Sequence, residues 1–246
     1  MSPLYVSLLT GFIFFLAALL YSSVGHAGAS AYLGVMALLG VSPEVMKPTA
    51  LVLNILVATV ASLKYYRAGC FSWRLFWPFA LTSIPFACLG GAIALPLTAY
   101  RLVLGAVLVY VAVRLIWFPS AKSASSIPPS RWLSLLAGAA IGLLSGLVGV
   151  GGGIFLSPLL LLMGWAEPRT TSAVSAVFIL VNSIAGLLGN VASTAFVPPQ
   201  IPLWAAAALA GGWIGSDVGS RRLHNVAIRR LLAIVLLAAG IKMALL

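Results

Sequence analysis

Acidic residues are nearly absent from this chain of 246 residues, which has three Asp or Glu against fourteen Lys or Arg. Three carboxylates are too few for a dicarboxylate enzyme or a carboxylate-lined cation carrier. Charge of either sign makes up 7% of the residues, where a soluble domain uses about a quarter. Most of the chain therefore cannot present a water-facing surface. Histidine occurs only at His26 and His224, and neither has an acid nearby, which excludes a metal hydrolase of the H-E-x-x-H kind. No serine has a His or Lys partner at its own depth, so nucleophilic catalysis is unsupported and an intramembrane enzyme is the weakest reading. No metal or cofactor is expected. Cys70 and Cys88 are too few for a disulfide framework and are read as free thiols. The net charge of +11 does not point to nucleic acid, because the basic residues lie between long apolar runs and form no stripe.

What is there is hydrophobic: 62% of the residues, arranged as in an all-α polytopic membrane protein. The opening run has no Lys or Arg before Lys47 and exceeds an ordinary signal-peptide core, so it is expected to be retained. A spanning helix needs about 20 apolar residues. Full crossings are expected at 48–66, 75–95, 101–118, 170–190, 202–220 and 228–246. A turn over Gly189–Pro202, containing Pro198 and Pro199, separates the fourth from the fifth. One linker-like segment, 119–130, divides a first repeat (1–118) from a second (131–246) and is expected to be cytoplasmic.

The halves align. Val24–Ala29 matches Val148–Gly153 at an offset of 124, and Gly40 matches Gly164 at the same offset. Gly90-Gly91 answers Gly215 at offset 125, and Arg101-Leu102 answers Arg230-Leu231 at 129. Each half opens with a run of about 18 apolar residues (Tyr5–Ser22, Arg131–Val148) that meets a small-residue break. A piece of about 11 residues follows (Ser30–Gly40, Ile154–Gly164), roughly 16 Å as a helix and half the hydrocarbon thickness. This pattern predicts a re-entrant hairpin. If both hairpins return to their entry side, Lys64, Arg67, Arg74, Arg114, Lys122, Arg131, Arg169, Arg221, Arg222, Arg229 and Arg230 share one face, against Lys47, Arg101 and Lys242 on the other. A split of 11 to 3 is a positive-inside signal. It predicts six full crossings, both termini outside, and two inverted repeats, each a re-entrant hairpin plus three transmembrane helices.

The stretch Leu147-Val148-Gly149-Val150-Gly151-Gly152-Gly153, followed by Pro158 and Gly164, resembles the signature of the TauE/SafE family of sulfite exporters and toluene-sulfonate-uptake permeases. The resemblance runs from about residue 10 to the end and includes Gly215-x-x-x-Gly219 followed by Arg221-Arg222-Leu223. The first-half copy departs from it with His26, Ala27 and Ala29, and has Gly34 where the second has Pro158. The resemblance implies a multi-pass transporter of small anions, often sulfur-containing, in the inner membrane of a prokaryote.

The tip residues give this a physical basis. Gly25, Gly28, Gly149, Gly151, Gly152 and Gly153 let a ligand approach the backbone, and each following half-helix begins with unpaired N–H groups and a positive dipole end. Two such ends facing one another would hold a small oxyanion without a charged side chain. Close helix packing is the competing role for the same glycines. His26 can donate to an oxyanion or carry a coupled proton, or stay neutral and bonded to backbone. Ser30, Asn54, Ser175 and Asn182 are candidates to line the pocket, with Thr49, Thr171 and Ser172 on the same helices; interhelical bonding is their alternative. Asp217 is expected to pair with Arg221, and Glu44 and Glu167 to neighbour Lys47 and Arg169 in loops. The expected function is alternating-access transport of a sulfite- or sulfonate-like anion, possible proton coupling included, with an anion channel as the alternative. Oligomeric state is not legible.

Overall fold

The computed structural model describes residues 3–41, 43–93, 129–190 and 200–224, with isolated positions at 113 and within 226–241. Eight α-helices follow in order: α1 Pro3–Ser22, α2 Ala29–Leu38, α3 Pro43–Arg67, α4 Trp73–Ala92, α5 Arg131–Val148, α6 Gly153–Leu162, α7 Pro168–Gly189 and α8 Ile201–Asp217. A π-helical turn, Val218–Arg222, extends α8. Among the described residues there is no strand. The expected crossings at 101–118 and 228–246, the linker and the Pro198–Pro199 turn fall largely outside the described residues.

Local chemistry sets the helix ends. Proline opens α3 and α7, where its missing N–H costs nothing. Ser130 caps α5, its Oγ accepting from the Leu133 N–H at 3.2 Å. Gly149, at φ 78°, ends α5 in the left-handed region. The third helix starts five residues before the expected crossing 48–66, because Pro43 suits a first turn and Pro48 is accommodated inside. Lys47 therefore lies on a helix and not in a loop.

Among the described residues, five helices are long and apolar enough to cross a membrane: those over Tyr5–Ser22, Glu44–Arg67, Trp73–Ala92, Arg131–Val148 and Pro168–Gly189. By contrast α2 and α6 have ten residues each, about 15 Å. Each hairpin thus has one long arm and one short arm.

Glycine stripes position the long arms. A Cβ on Gly138, Gly142 or Gly146 of α5 would strike the Phe79, Ser83 and Ala87 carbonyls of α4. Likewise Gly211, Gly215 and Gly219 sit against the Phe15, Leu19 and Ser23 carbonyls of α1. Four-residue spacing of small residues lets helices approach backbone to backbone, which is how packing replaces the hydrophobic drive inside lipid. Both pairs run parallel. Val57 meets Gly212 and Tyr65 meets Gly219, so α3 is parallel to α8 too. With α1 and α3 pointing the same way, α2 must turn the chain back.

Packing exchanges between the halves. The first long arm packs on α8 and the second on α4; α4 also packs on α7, and α8 on α3. At the centre α3 and α7 run antiparallel, with Leu51 beside Gly186 and Asn54 beside Ser183. Each short helix is buried in an apolar cluster drawn from both halves. Tyr32 and Met36 of α2 pack with Phe14 and Trp204, while Leu156 and Leu160 of α6 pack with Phe79, Ile141 and Phe178. The Phe14 ring lies 4.8 Å from that of Tyr32 and 5.4 Å from that of Trp204.

Candidate functional site

The two hairpin tips are alike in backbone. Gly25 and Gly149, Gly28 and Gly152, and Gly40 and Gly164 have positive φ, and each pair is 124 residues apart. Gly151 adds a third left-handed residue to the second tip. Among the described residues, the N–H groups of Ala27–Ser30 and of Val150–Ile154 find no acceptor. These are the first donors of α2 and α6 and the residues leading into them, left open as at any helix start.

Each tip is seated on the helix that follows the hairpin of the opposite half. Gly25 abuts the Ser172 backbone of α7 so closely that a side chain has no room. Gly149 abuts Lys47 of α3, and Gly151 lies against Asn54, Ile179 and Ser183. The Asn54 Nδ2 donates to the Val150 carbonyl at 3.2 Å and reaches Ser183 Oγ at 3.4 Å. Its Oδ1 is buried without a partner.

A polar thread joins the first tip to the second short helix. His26, 3% exposed, has Nδ1 3.1 Å from the Val24 carbonyl and Nε2 3.4 Å from Ser157 Oγ. Ser157 Oγ in turn lies 2.7 Å from Ser175 Oγ on α7. His26 and Ser175 are thereby brought together through a residue that sequence reasoning missed. Ser157 was detectable as the one hydroxyl in the ten-residue run of α6, next to Pro158.

Other expected residues are placed less directly. Ser30 bonds the Tyr21 hydroxyl at 2.8 Å and so ties α2 to α1. Gly28 and Gly152 are packed against Tyr32 and against Phe178, Ile141 and Ser145. Gly153 faces the Ile179 side chain. Asn182 is fully buried, its Nδ2 donating to Phe178 of its own helix at 2.8 Å, with Oδ1 unpartnered. It does not bond to either tip. Thr49 and Thr171 have buried hydroxyls without partners.

The charged residues differ from expectation in partner. Lys47 does not reach Glu44; its Nζ donates to the Gly91 carbonyl at 2.8 Å and the Gly90 carbonyl at 3.4 Å, near the end of α4. A cation there complements the negative end of the helix, and it stands beside the second tip. The lack of any other cation before residue 64 was the available signal. Asp217 lies 3.8 Å from Arg221, as expected, but its closer partner is Lys64 of the first half at 3.0 Å. Arg169 reaches the Leu223 carbonyl at 2.6 Å and not Glu167. No cluster of His, Cys, Asp and Glu suited to a metal occurs among the described residues.

The described residues thus bring together two glycine tips with unpaired amides, the His26–Ser157–Ser175 thread and the Asn54 amide, with Lys47 beside the second tip. Comparison with known proteins gives the family. The family model for the sulfite exporter TauE/SafE matches residues 10–243. A probable membrane transporter protein of Sinorhizobium fredii, y4hK, is 42% identical over 234 residues, covering 94% of this chain and 95% of that protein. No solved structure matches. The chain belongs to the sulfite exporter TauE/SafE family of membrane transporters.

Proposed function

We propose that the chain is a secondary transporter of small sulfur oxyanions, sulfite or a sulfonate, which works by alternating access between inverted halves. The observation that carries this reading is the crossed seating of the tips: Gly25 on α7 and Gly149 to Gly151 on α3. Such a site has amide, hydroxyl and imidazole donors and no carboxylate, which suits an oxyanion and repels none. Antiparallel α3 and α7, and the exchange of packing partners between halves, support a two-fold relation with its axis in the membrane plane.

Binding the anion at the boundary between halves couples its occupancy to their relative position. In one state the tips open toward one face; rocking of the packed helices about α3 and α7 opens them toward the other. His26 is the group at this depth that can take up a proton with the anion. The basic majority, which includes Lys64, Arg67, Arg221 and Arg222, supports an orientation with the α3 and α8 C-terminal ends facing the cytoplasm of a prokaryote and both termini outside.

Flux into proteoliposomes tests the reading. Saturable uptake of sulfite or a sulfonate, with counterflow when the lumen is preloaded, is expected. Ohmic anion current without counterflow would make the protein a channel, and movement of no anion would refute the proposal.

A further inference from the structure

A second binding surface lies away from the tips, in an open groove of about 550 Å³ between the C-terminal parts of α3 and α8. Its walls change character along their length. Val60, Leu63 and Ile214 make an apolar stretch, with Leu63 45% and Ile214 46% exposed. Lys64, Arg67, Arg221 and Arg222 close one end, and Trp213 stands at the junction, 59% exposed. An apolar stretch with an exposed Trp, and a cluster of cations, are the two chemistries that suit acyl chains and headgroups.

Only two of the four cations are engaged internally. Asp217 is the one carboxylate of the groove, and it is held by Lys64 at 3.0 Å and by Arg221 at 3.8 Å. Lys64 is further pinned 4.2 Å over the Trp213 ring. Arg67 and Arg222, both exposed, form no ion pair among the described residues. Four cations against one carboxylate leave a net positive headgroup pocket above a hydrophobic channel. A second copy of the chain seated here would set the same cations against each other.

We propose that this groove binds an anionic phospholipid, its phosphate between Arg67 and Arg222 and an acyl chain along Val60, Leu63 and Ile214. Trp213, exposed in the groove wall beside Lys64, reports occupancy. Asp217 limits the affinity by holding two of the four cations.

The full chain in proteoliposomes tests this with brominated lipids, which quench tryptophan on contact. The quenching lost on Trp213→Phe isolates the one reporter. Brominated phosphatidylglycerol is expected to quench Trp213 at far lower mole fraction than brominated phosphatidylcholine. Arg67→Gln with Arg222→Gln should weaken that preference roughly 25-fold, about fivefold for each basic group lost. Asp217→Asn should strengthen it, a change that a purely structural ion pair would not produce. Equal quenching by the two lipids, or a preference unchanged in the double variant, would overturn the proposal. So would release of quenching by excess inorganic phosphate, which would assign the cations to a water-soluble anion.

Discussion

His26 Nε2 stands 3.4 Å from Ser157 Oγ, although 131 positions of chain separate them. That contact joins the tip of the first hairpin to the short helix of the second, and Ser175 extends it to α7 at 2.7 Å. A binding site made from both halves needs some such connection, and this one has no charge to be neutralised when an anion arrives.

Removing the middle of the thread should therefore impair transport without unfolding the protein. Ser157→Ala deletes one hydroxyl and leaves the volume nearly unchanged. We expect sulfite uptake to fall about five- to tenfold, the worth of one net hydrogen bond. Ser175→Ala should have a similar effect, and the double variant should be less than multiplicative because the two hydroxyls share a bond. Uptake by the two single variants at the parental rate would remove the thread from the site.

His26→Gln separates proton carriage from hydrogen bonding. Glutamine keeps a donor and an acceptor but does not titrate near neutral pH. Anion exchange at equal pH on both sides should persist, while accumulation driven by a pH gradient should be lost. Retention of gradient-driven accumulation would show that the coupled proton, if there is one, travels elsewhere.

The glycine stripes predict opposite outcomes for the same substitution. Gly142→Ala and Gly215→Ala drive a methyl onto the Ser83 and Leu19 carbonyls. Each should cost about 1–3 kcal/mol through forced separation of packed helices and lower the melting temperature in detergent. Gly11→Ala and Gly186→Ala meet nothing nearer than 3.8 Å and 3.7 Å and should be tolerated. Equal melting temperatures across all four variants would contradict the close packing of α5 on α4 and of α1 on α8. The same geometry makes Gly152 a poor probe of the pocket. With φ at 78° and Phe178 2.8 Å from a built Cβ, any side chain there strains the fold before it touches a substrate.

Orientation is testable with thiols at the two ends of α3. Cys70 follows that helix, and Glu44 lies exposed in its first turn, at the opposite end of a helix of 25 residues, about 37 Å long. In a Cys88→Ala background, an impermeant maleimide should reach native Cys70 from the cytoplasmic side and a Glu44→Cys thiol from the outside. Burial raises the Cys70 thiol pKa, and the nearby Arg169 offsets only part of this. Its labelling should accelerate as pH climbs through and beyond the ordinary thiol range, because the thiolate is the reacting form. Labelling of both positions from one side would overturn the topology.

The tips and their short helices were readable in the sequence because glycine and length carry them directly. Positive φ at Gly25 and Gly149 needs glycine, and ten apolar residues between turns cannot span a bilayer. What the short helices touch was not readable. Gly138, Gly142 and Gly146 declare that α5 packs closely on something, but a row of small residues fits any neighbour. That neighbour is α4, and no local pattern names it. Lys47 misled for a related reason. Beside Glu44 and Pro43 it has the composition of a loop, yet Pro43 opens a helix and the α4 carbonyls draw the ammonium away from Glu44. Asp217 met its i,i+4 neighbour as local spacing requires, while its nearer partner, Lys64, is 153 residues distant.

The crossed seating of the tips has a consequence for biogenesis. The ribosome delivers α1 to α4 well before α7 and α8, so His26 and the open amides of the first tip enter the bilayer ahead of the helices that shelter them. Until the second half arrives, Gly25 has no Ser172 to rest on, and α1 has no Gly211–Gly215 face to pack against. The first half by itself therefore leaves the packing faces of α1 and of its tip uncovered. Maturation is completed only when the last third of the chain closes over the first.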